Sequence, residues 1–384
     1  VKVVIALRTM ENPGGLQTFL TTIADHLPAL GHEVVVYTLF QGMMADFARR
    51  RGIRIVGDLG SLPEQTDATI ACDKVLAVEM AARYPRARRL FTMHSIDEFW
   101  LPPLEPGIVA ATIAPNDRLA TLARGCAGAG EVIRVRQPVD LYRFLPRGRA
   151  RETPQSVLLL GNYGSFANVG ADQLRAAWAA HGLEWSRCGH PNPTMEVAGD
   201  IAKADIVVGY GRSILEAMAC ARPAYVHEHS GSDGWVTEES YARLESDGFA
   251  GTALRAQPTQ QRLSEDFARY DAVLGAVGHD LIRAHHDARF VTAGLMAAIA
   301  GFDPPNHRYD AEALASMRDL AVLLYRSTNM VQALREEMRV RRLAYEKDVA
   351  DLKALNAKQD MVIAQQRALI LKNAPKAKAK PKKG

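Results

Sequence analysis

The stretch from Ala204 to Val226 constrains the fold of this chain more than any other. An apolar run, Ala204-Asp-Ile-Val-Val208, meets a turn at Gly209-Tyr-Gly211; a helical run from Arg212 to Ala221 follows, and Pro223-Ala-Tyr-Val226 is a second apolar run. Strand, glycine-bearing turn, helix and strand in that order predict a βαβ unit whose turn lies at the carboxyl edge of a parallel sheet. Gly209 and Gly211 let a backbone approach a ligand closely. The helix start offers N–H groups and a positive dipole end to an anion. Arg212 adds a forked cation, and Glu216, one turn in, places a carboxylate where it accepts from a pair of sugar hydroxyls. Ser213 and Glu216 also have the spacing of a capping box, so a purely structural use of the same residues stays open. Anion donors with an acid about a turn away suit a nucleoside diphosphate.

The same alternation runs through most of the chain. Strand candidates at 2–7, 33–38, 53–56, 68–71, 88–93, 109–114 and 132–136 alternate with helical stretches, which argues for a mostly parallel sheet covered by helices. Pro146-Arg-Gly-Arg-Ala-Arg-Glu-Thr-Pro154 has the composition of an exposed linker, and a second alternating set follows at 156–161, 184–187, 204–208 and 223–226. A chain of 384 residues holds about two such domains. The expected division is a first domain over 1–145, a second over 155–258, packing helices over 259–303, a long helix or coiled coil over 311–371 and a basic tail over 372–384. Hydrophobic content of 48% and charged content of 23% exclude a disordered chain, and no apolar run approaches the roughly 20 residues that span a bilayer. The chain opens directly on a strand-like run, so no secretory signal is expected.

Three further landmarks stand in order with the Gly209–Pro223 segment. Val3-Val-Ile-Ala-Leu7 leads to Asn12-Pro-Gly14-Gly15-Leu16; Arg89-Leu-Phe-Thr-Met93 ends in His94-Ser95; Arg136-Gln-Pro-Val-Asp140 is followed by Arg143-Phe144. Together they resemble the GT-B glycosyltransferases, in the large retaining group that includes bacterial mannosyltransferases and sucrose synthase-like enzymes. The resemblance covers roughly residues 1–250. It implies an α/β protein of GT-B architecture, with two doubly wound Rossmann-like domains facing a cleft. It implies a nucleotide-sugar donor as cosubstrate, no further cofactor, and a glycan, lipid-linked or envelope acceptor, with retention of configuration. By the same resemblance Gly14 and Gly15 offer main-chain N–H groups to the diphosphate. Gly209 and Gly211 bring the backbone near it, and Arg212 with the helix start at Ser213 stabilises the leaving group. Glu216 takes the ribose hydroxyls, and His94 contacts the transferred sugar.

No Asp-x-Asp occurs, so no metal is expected, and the leaving group falls to cations and N–H donors. Two departures from the family pattern bear on catalysis. Val208 stands where the family carries the first of two glutamates, and Asn162-Tyr163-Gly164 is followed by no arginine or lysine until Arg175. They keep open a non-catalytic GT-B scaffold or binding protein working through its C-terminal helix. A nucleotide-sugar epimerase of the same fold is a further alternative, against which the transferase-like helix after Gly211 argues. Asp97 and Glu98 are candidates for the acceptor hydroxyl. Cys72, Cys126, Cys188 and Cys220 show neither Cys-x-x-Cys nor zinc-ligand spacing, and Cys188-Gly-His190 lacks a partner pair; the expectation is reduced thiols in a cytoplasmic protein.

Beyond residue 258 the pattern turns helical. No glycine or proline occurs from Ala311 to Leu371, which permits one long helix or a break near Ser327-Thr-Asn329. Leu324, Val331, Met338, Tyr345 and Leu352 form one heptad seam and Leu334, Leu355, Val362 and Leu369 the other. Ser327, Arg341, Asp348, Gln359 and Gln366 interrupt them, so weak self-association through 311–371 is expected. The segment 372–383 carries six lysines and no acid; without it the formal net charge falls from +4 to −2. It is expected to be disordered, either solvated or resting on an anionic membrane surface at the inner face. It has no aromatic interleaving for base stacking, so no specific nucleic acid is expected.

Overall fold

The computed structural model describes residues 1–96, 101–103, 105–161, 169–189, 193–228, 231–254, 256, 259–306 and 311–373. They divide into two units, 1–321 and 322–384.

The first unit contains two sheets. Strands β1 (Lys2–Met10), β2 (Glu33–Gln41), β3 (Arg54–Val56), β4 (Ala68–Ala71), β5 (Arg88–Thr92), β6 (Ala111–Ala114) and β7 (Glu131–Arg134) form a seven-stranded sheet in the order β3-β2-β1-β4-β5-β6-β7. All its pairings are parallel. Strand β1 shows why the runs are continuously apolar: Val3, Ile5 and Leu7 enter one core with helices α1 (Gly15–His26) and α2 (Met43–Arg50). Val4 and Ala6 enter another, with α3 (Lys74–Arg83) and α4 (Asp117–Arg124). Alternate side chains point to opposite faces, and both faces are covered.

The second sheet holds β8 (Ser156–Leu160), β9 (Glu184–Cys188), β10 (Ile206–Gly209), β11 (Ala224–Glu228) and β12 (Gly231–Trp235), in the order β12-β11-β10-β8-β9. Helices α5 (Val169–Ala180), α6 (Val197–Lys203), α7 (Arg212–Ala219) and α8 (Glu238–Ser246) belong to this half. The edge strand β12 pairs antiparallel to β11 and was not legible in the sequence, because Gly231-Ser-Asp-Gly-Trp235 lacks an apolar pattern. Tertiary bonds hold it: Asp233 accepts from the Ala253 and Leu254 N–H groups at 3.1 and 2.8 Å, and the Trp235 indole donates to the Asp266 carbonyl at 2.7 Å.

Three helices follow, as the change of pattern after residue 258 predicts. Leu263 and Phe267 of α9 (Gln260–Ala268) pack in the core of the second sheet. Ile282 of α10 (Val273–His285) packs against α7. Leu295, Met296 and Ile299 of α11 (Ala288–Ala300) complete the core of the first sheet. The chain therefore crosses between the halves twice, and the crossings lie side by side: Val139 N–H donates to the His286 carbonyl at 2.7 Å, and Ala288 N–H to the Val139 carbonyl at 3.0 Å. At this junction His286 Nδ1 donates to the Gln137 carbonyl at 2.8 Å, which leaves Nε2 to accept from the Tyr241 hydroxyl at 2.8 Å. The four cysteines are free, and Cys72, Cys188 and Cys220 are buried.

Helix α12 (Ala311–Asn373) is continuous for 63 residues. The break considered near Ser327-Thr-Asn329 does not form, since none of these residues prevents a helical backbone as proline would. Among the described residues no helix is long and apolar enough to cross a membrane. Residues 374–384, with most of the lysine tail, lie outside the described residues.

Candidate functional site

Parallel doubly wound sheets gather loops at their carboxyl edges, and ligands sit where the strand order reverses. In the first sheet that reversal flanks β1, and in the second it flanks β8. The loops after β1, β5 and β10, with the starts of helices α1 and α7, line a cleft of about 310 Å³ and carry Gly14, Gly15, His94, Gly211, Arg212, Ser213 and Glu216. Residues chosen from widely separated motifs thus meet at one place.

Each is held for a local reason. Gly14 is the N-cap of α1 and brings no side-chain cap, so the amino end of that helix opens toward the cleft. Gly211 caps α7 with φ +57° and ψ −128°, a conformation essentially restricted to glycine, and its N–H donates to the Phe249 carbonyl at 2.7 Å. Helix α7 therefore starts at Arg212, and Ser213 already lies inside it. The capping box considered for Ser213 and Glu216 does not form, because an N-cap needs a non-helical backbone and Gly211 takes that place. A capping box does form at Thr237 and Ser240, at the start of α8.

Gly209 serves packing. It ends β10, and a Cβ there would stand 2.6 Å from the Leu160 carbonyl oxygen of β8, so it lets two strands approach and does not line the cleft. Val208, at the family's first glutamate position, is fully buried among Trp178, Leu263 and Tyr225. A carboxylate there would face an apolar core in this chain and would not line the cleft.

Arg212 is more committed than its place at a helix start suggests. Its side chain is 7% exposed and pairs with Glu216, itself 11% exposed, Nε to Oε1 at 3.0 Å. Its Nη1 donates to the Pro138 carbonyl at 2.8 Å and its Nη2 to the Thr22 hydroxyl at 3.4 Å. Burial lowers its pKa and the Glu216 charge opposes that shift. One side chain thus ties the second half to the interdomain crossing and to α1. His94 follows β5 with its ring 4.8 Å from that of Phe19, and among the described residues neither ring nitrogen has a hydrogen-bond partner. Desolvation, then the Arg212 charge, brings its pKa down to about 3. His94 is a neutral imidazole near pH 7, able to donate at one nitrogen and accept at the other.

Two cleft cations escaped the sequence reading as ligands. Arg143 lies 4.7 Å from the Phe47 ring centroid and 5.0 Å from that of Phe144, and donates to the Met195 carbonyl at 2.6 Å. Arg118, in the first turn of α4, stands 3.5 Å from Asp247 of the other half. Both line the cleft. Arg143 was visible as part of the segment after Asp140, although not as a cleft group. Arg118 gave no signal, because only the approach of the two halves brings it there. That approach is tight: Gly248, at φ +77°, abuts the Asn116 side chain so closely that a Cβ would not fit. The Asn162–Gly164 segment, the Asp97-Glu98 pair and His190 lie outside the described residues. Among the described residues no group of three His, Cys, Asp or Glu is placed to hold a metal.

No protein-family model and no curated protein matches the chain. Solved structures do. An Anabaena protein, HepE, in complex with UDP and glucose is similar with TM-score 0.55 at 13% identity, over 78% of this chain and 99% of that one. An alpha-glucosyltransferase in complex with UDP-glucose and DNA containing an abasic site is similar with TM-score 0.53 at 12% identity, over 78% and 98%. The same comparison with an alpha-glucosyltransferase in complex with UDP gives TM-score 0.52 at 12% identity. At these identities the likeness establishes the fold: the chain has the GT-B architecture.

Proposed function

We propose that this protein transfers a sugar from a nucleotide-sugar donor to an acceptor hydroxyl. The observation that carries the reading is the convergence, in one cleft between two Rossmann-like sheets, of two helix starts without side-chain caps, a neutral histidine and three arginines. Fold neighbours in complex with UDP and with UDP-glucose support a donor of that class.

The leaving diphosphate would lie between the amino ends of α1 and α7. Arg143 and Arg118 are the cations with donors to spare there, whereas Arg212 is occupied by Glu216 and the Pro138 carbonyl. Such donors, fixed before reaction, stabilise charge as it develops on the leaving group without reorganising. The Glu216 oxygen not bonded to Arg212 would accept from the ribose. His94, held neutral, would hydrogen-bond the transferred sugar and would not act as a general acid near pH 7. Retention of configuration, independence of a metal, a glycan, lipid-linked or envelope acceptor, and a place at the inner face of the membrane belong to this proposal.

Isothermal titration and thermal-shift measurements with UDP-, GDP- and dTDP-sugars test it, since a ligand of the native state raises apparent stability by mass action. One donor is expected to bind and to be slowly hydrolysed without acceptor. Absence of binding by any nucleotide sugar or nucleoside diphosphate would overturn the reading in favour of a non-catalytic GT-B protein.

A further inference from the structure

Helix α12 carries an apolar stripe that its own residues leave exposed. Val331, Leu334, Met338, Tyr345, Leu352, Leu355 and Val362 are each between 44% and 70% exposed. They recur at alternating spacings of three and four, broken by Arg341, Asp348 and Gln359. A seven-residue repeat drifts by about 20° per heptad on a straight helix, so two such stripes stay in contact by winding left-handed around each other. We propose that this segment pairs with the same segment of a second copy of the chain, antiparallel and centred on residue 343.

The charges select both the partner and the direction. Residues 331–362 hold seven basic and six acidic side chains, unlike the strongly basic polar face of a helix that lies on anionic lipid. A parallel pair in register would set Arg341 against Arg341 and Asp348 against Asp348 inside the seam. In the antiparallel register centred on 343, Val331 faces Leu355 of the second copy and Leu334 faces Leu352. Gln359 faces Ser327, so polar meets polar. Tyr345 faces Arg341 and Met338 faces Asp348, which leaves Arg341 and the Asp348 of the second copy one seam step apart, about 4.5 Å along the axis. This near approach of opposite charges occurs twice by symmetry. Sliding the register by one heptad places Ser327 against Leu352 in one direction and Gln359 against Leu334 in the other. Arg342 comes near its own copy at the centre, but it already donates to Glu346 at 2.8 Å.

Sedimentation equilibrium of the full-length chain tests association, and paired substitutions test direction. Arg341→Asp or Asp348→Arg alone is expected to weaken the dimer about tenfold, because each sets like charges together. The double exchange R341D/D348R is expected to restore it to within about twofold. In a parallel dimer neither single change alters the balance of like charges, so equal affinity for all four proteins would overturn the proposal. In a Cys126→Ser background, V331C/L355C should cross-link under mild oxidation while V331C alone should not; cross-linking of V331C alone would also overturn it. So would a chain that stays monomeric at every concentration, whether or not it sediments with vesicles of phosphatidylserine and phosphatidylcholine.

Discussion

Replacing Arg212 by methionine should destabilise the folded body by about 3–5 kcal/mol, the cost of leaving one partner of a buried ion pair alone. The structure supports that scale because both side chains are nearly inaccessible, at 7% and 11% exposure, so solvent screens the stranded Glu216 carboxylate little. The Pro138 carbonyl loses its donor as well. At roughly 2 °C per kcal/mol for a protein of this size, the midpoint should fall by about 6–10 °C. Glu216→Leu should cost a similar amount by stranding the guanidinium. The double variant R212M/E216L leaves no unpaired charge at these two positions and should lie within about 2 kcal/mol of the parent, since well-packed apolar pairs often replace buried ion pairs at little cost. Thermal and urea unfolding of the four proteins gives the coupling energy. A single Arg212→Met variant as stable as the parent, or a double variant as unstable as the sum of the singles, would refute the assignment of Arg212 and Glu216 as a coupled buried ion pair.

Further outcomes follow from the same geometry. Arg143→Ala should weaken nucleoside-diphosphate binding by about 1.5–3 kcal/mol with little change in melting temperature, read by calorimetric titration; an unchanged affinity removes Arg143 from the site. Glu216→Gln keeps an acceptor for Arg212 but is a poorer one for the ribose, so turnover should drop more than stability, and full activity would leave Glu216 a structural residue. Gly211→Ala should cost about 1–3 kcal/mol from backbone strain alone, because the nearest atom to the added Cβ, the Gly248 carbonyl oxygen, is 4.0 Å away. Stability should fall in acid between pH 6.5 and about 3, because burial holds His94 and His286 at about 3 in the folded state while the unfolded chain binds protons from about 6.5 downward. Their contribution is complete above pH 6.5 and is lost as pH falls, at up to about 1.4 kcal/mol per unit for each histidine. Urea midpoints of the parent and of His94→Gln between pH 4 and 7 should show a shallower slope for the variant.

The strand–turn–helix pattern of this chain was legible because a parallel sheet covered on both faces writes itself as short apolar runs. All eleven strands expected from such runs are present, with ends shifted by a few residues. Glycines that permit unusual backbone geometry were legible too, as at Gly211. The twelfth strand was not, because β12 rests on bonds from Asp233 and Trp235 to residues distant in sequence and carries no apolar periodicity. Nor could sequence separate the uses of Gly209 and Gly211, two residues apart; one spaces two strands and the other opens a helix. The state of the charges was decided entirely by tertiary structure. Arg212 reads as a free cation at a helix start until the linker carbonyl of Pro138, Thr22 and Glu216 close around it. Arg118 and Arg143 become cleft residues only when the halves meet. Local sequence fixes backbone preferences and which faces must be buried; which buried charge is neutralised, and which stays available to a ligand, depends on groups brought together from distant parts of the chain, as far as 190 residues apart for Arg212 and Thr22.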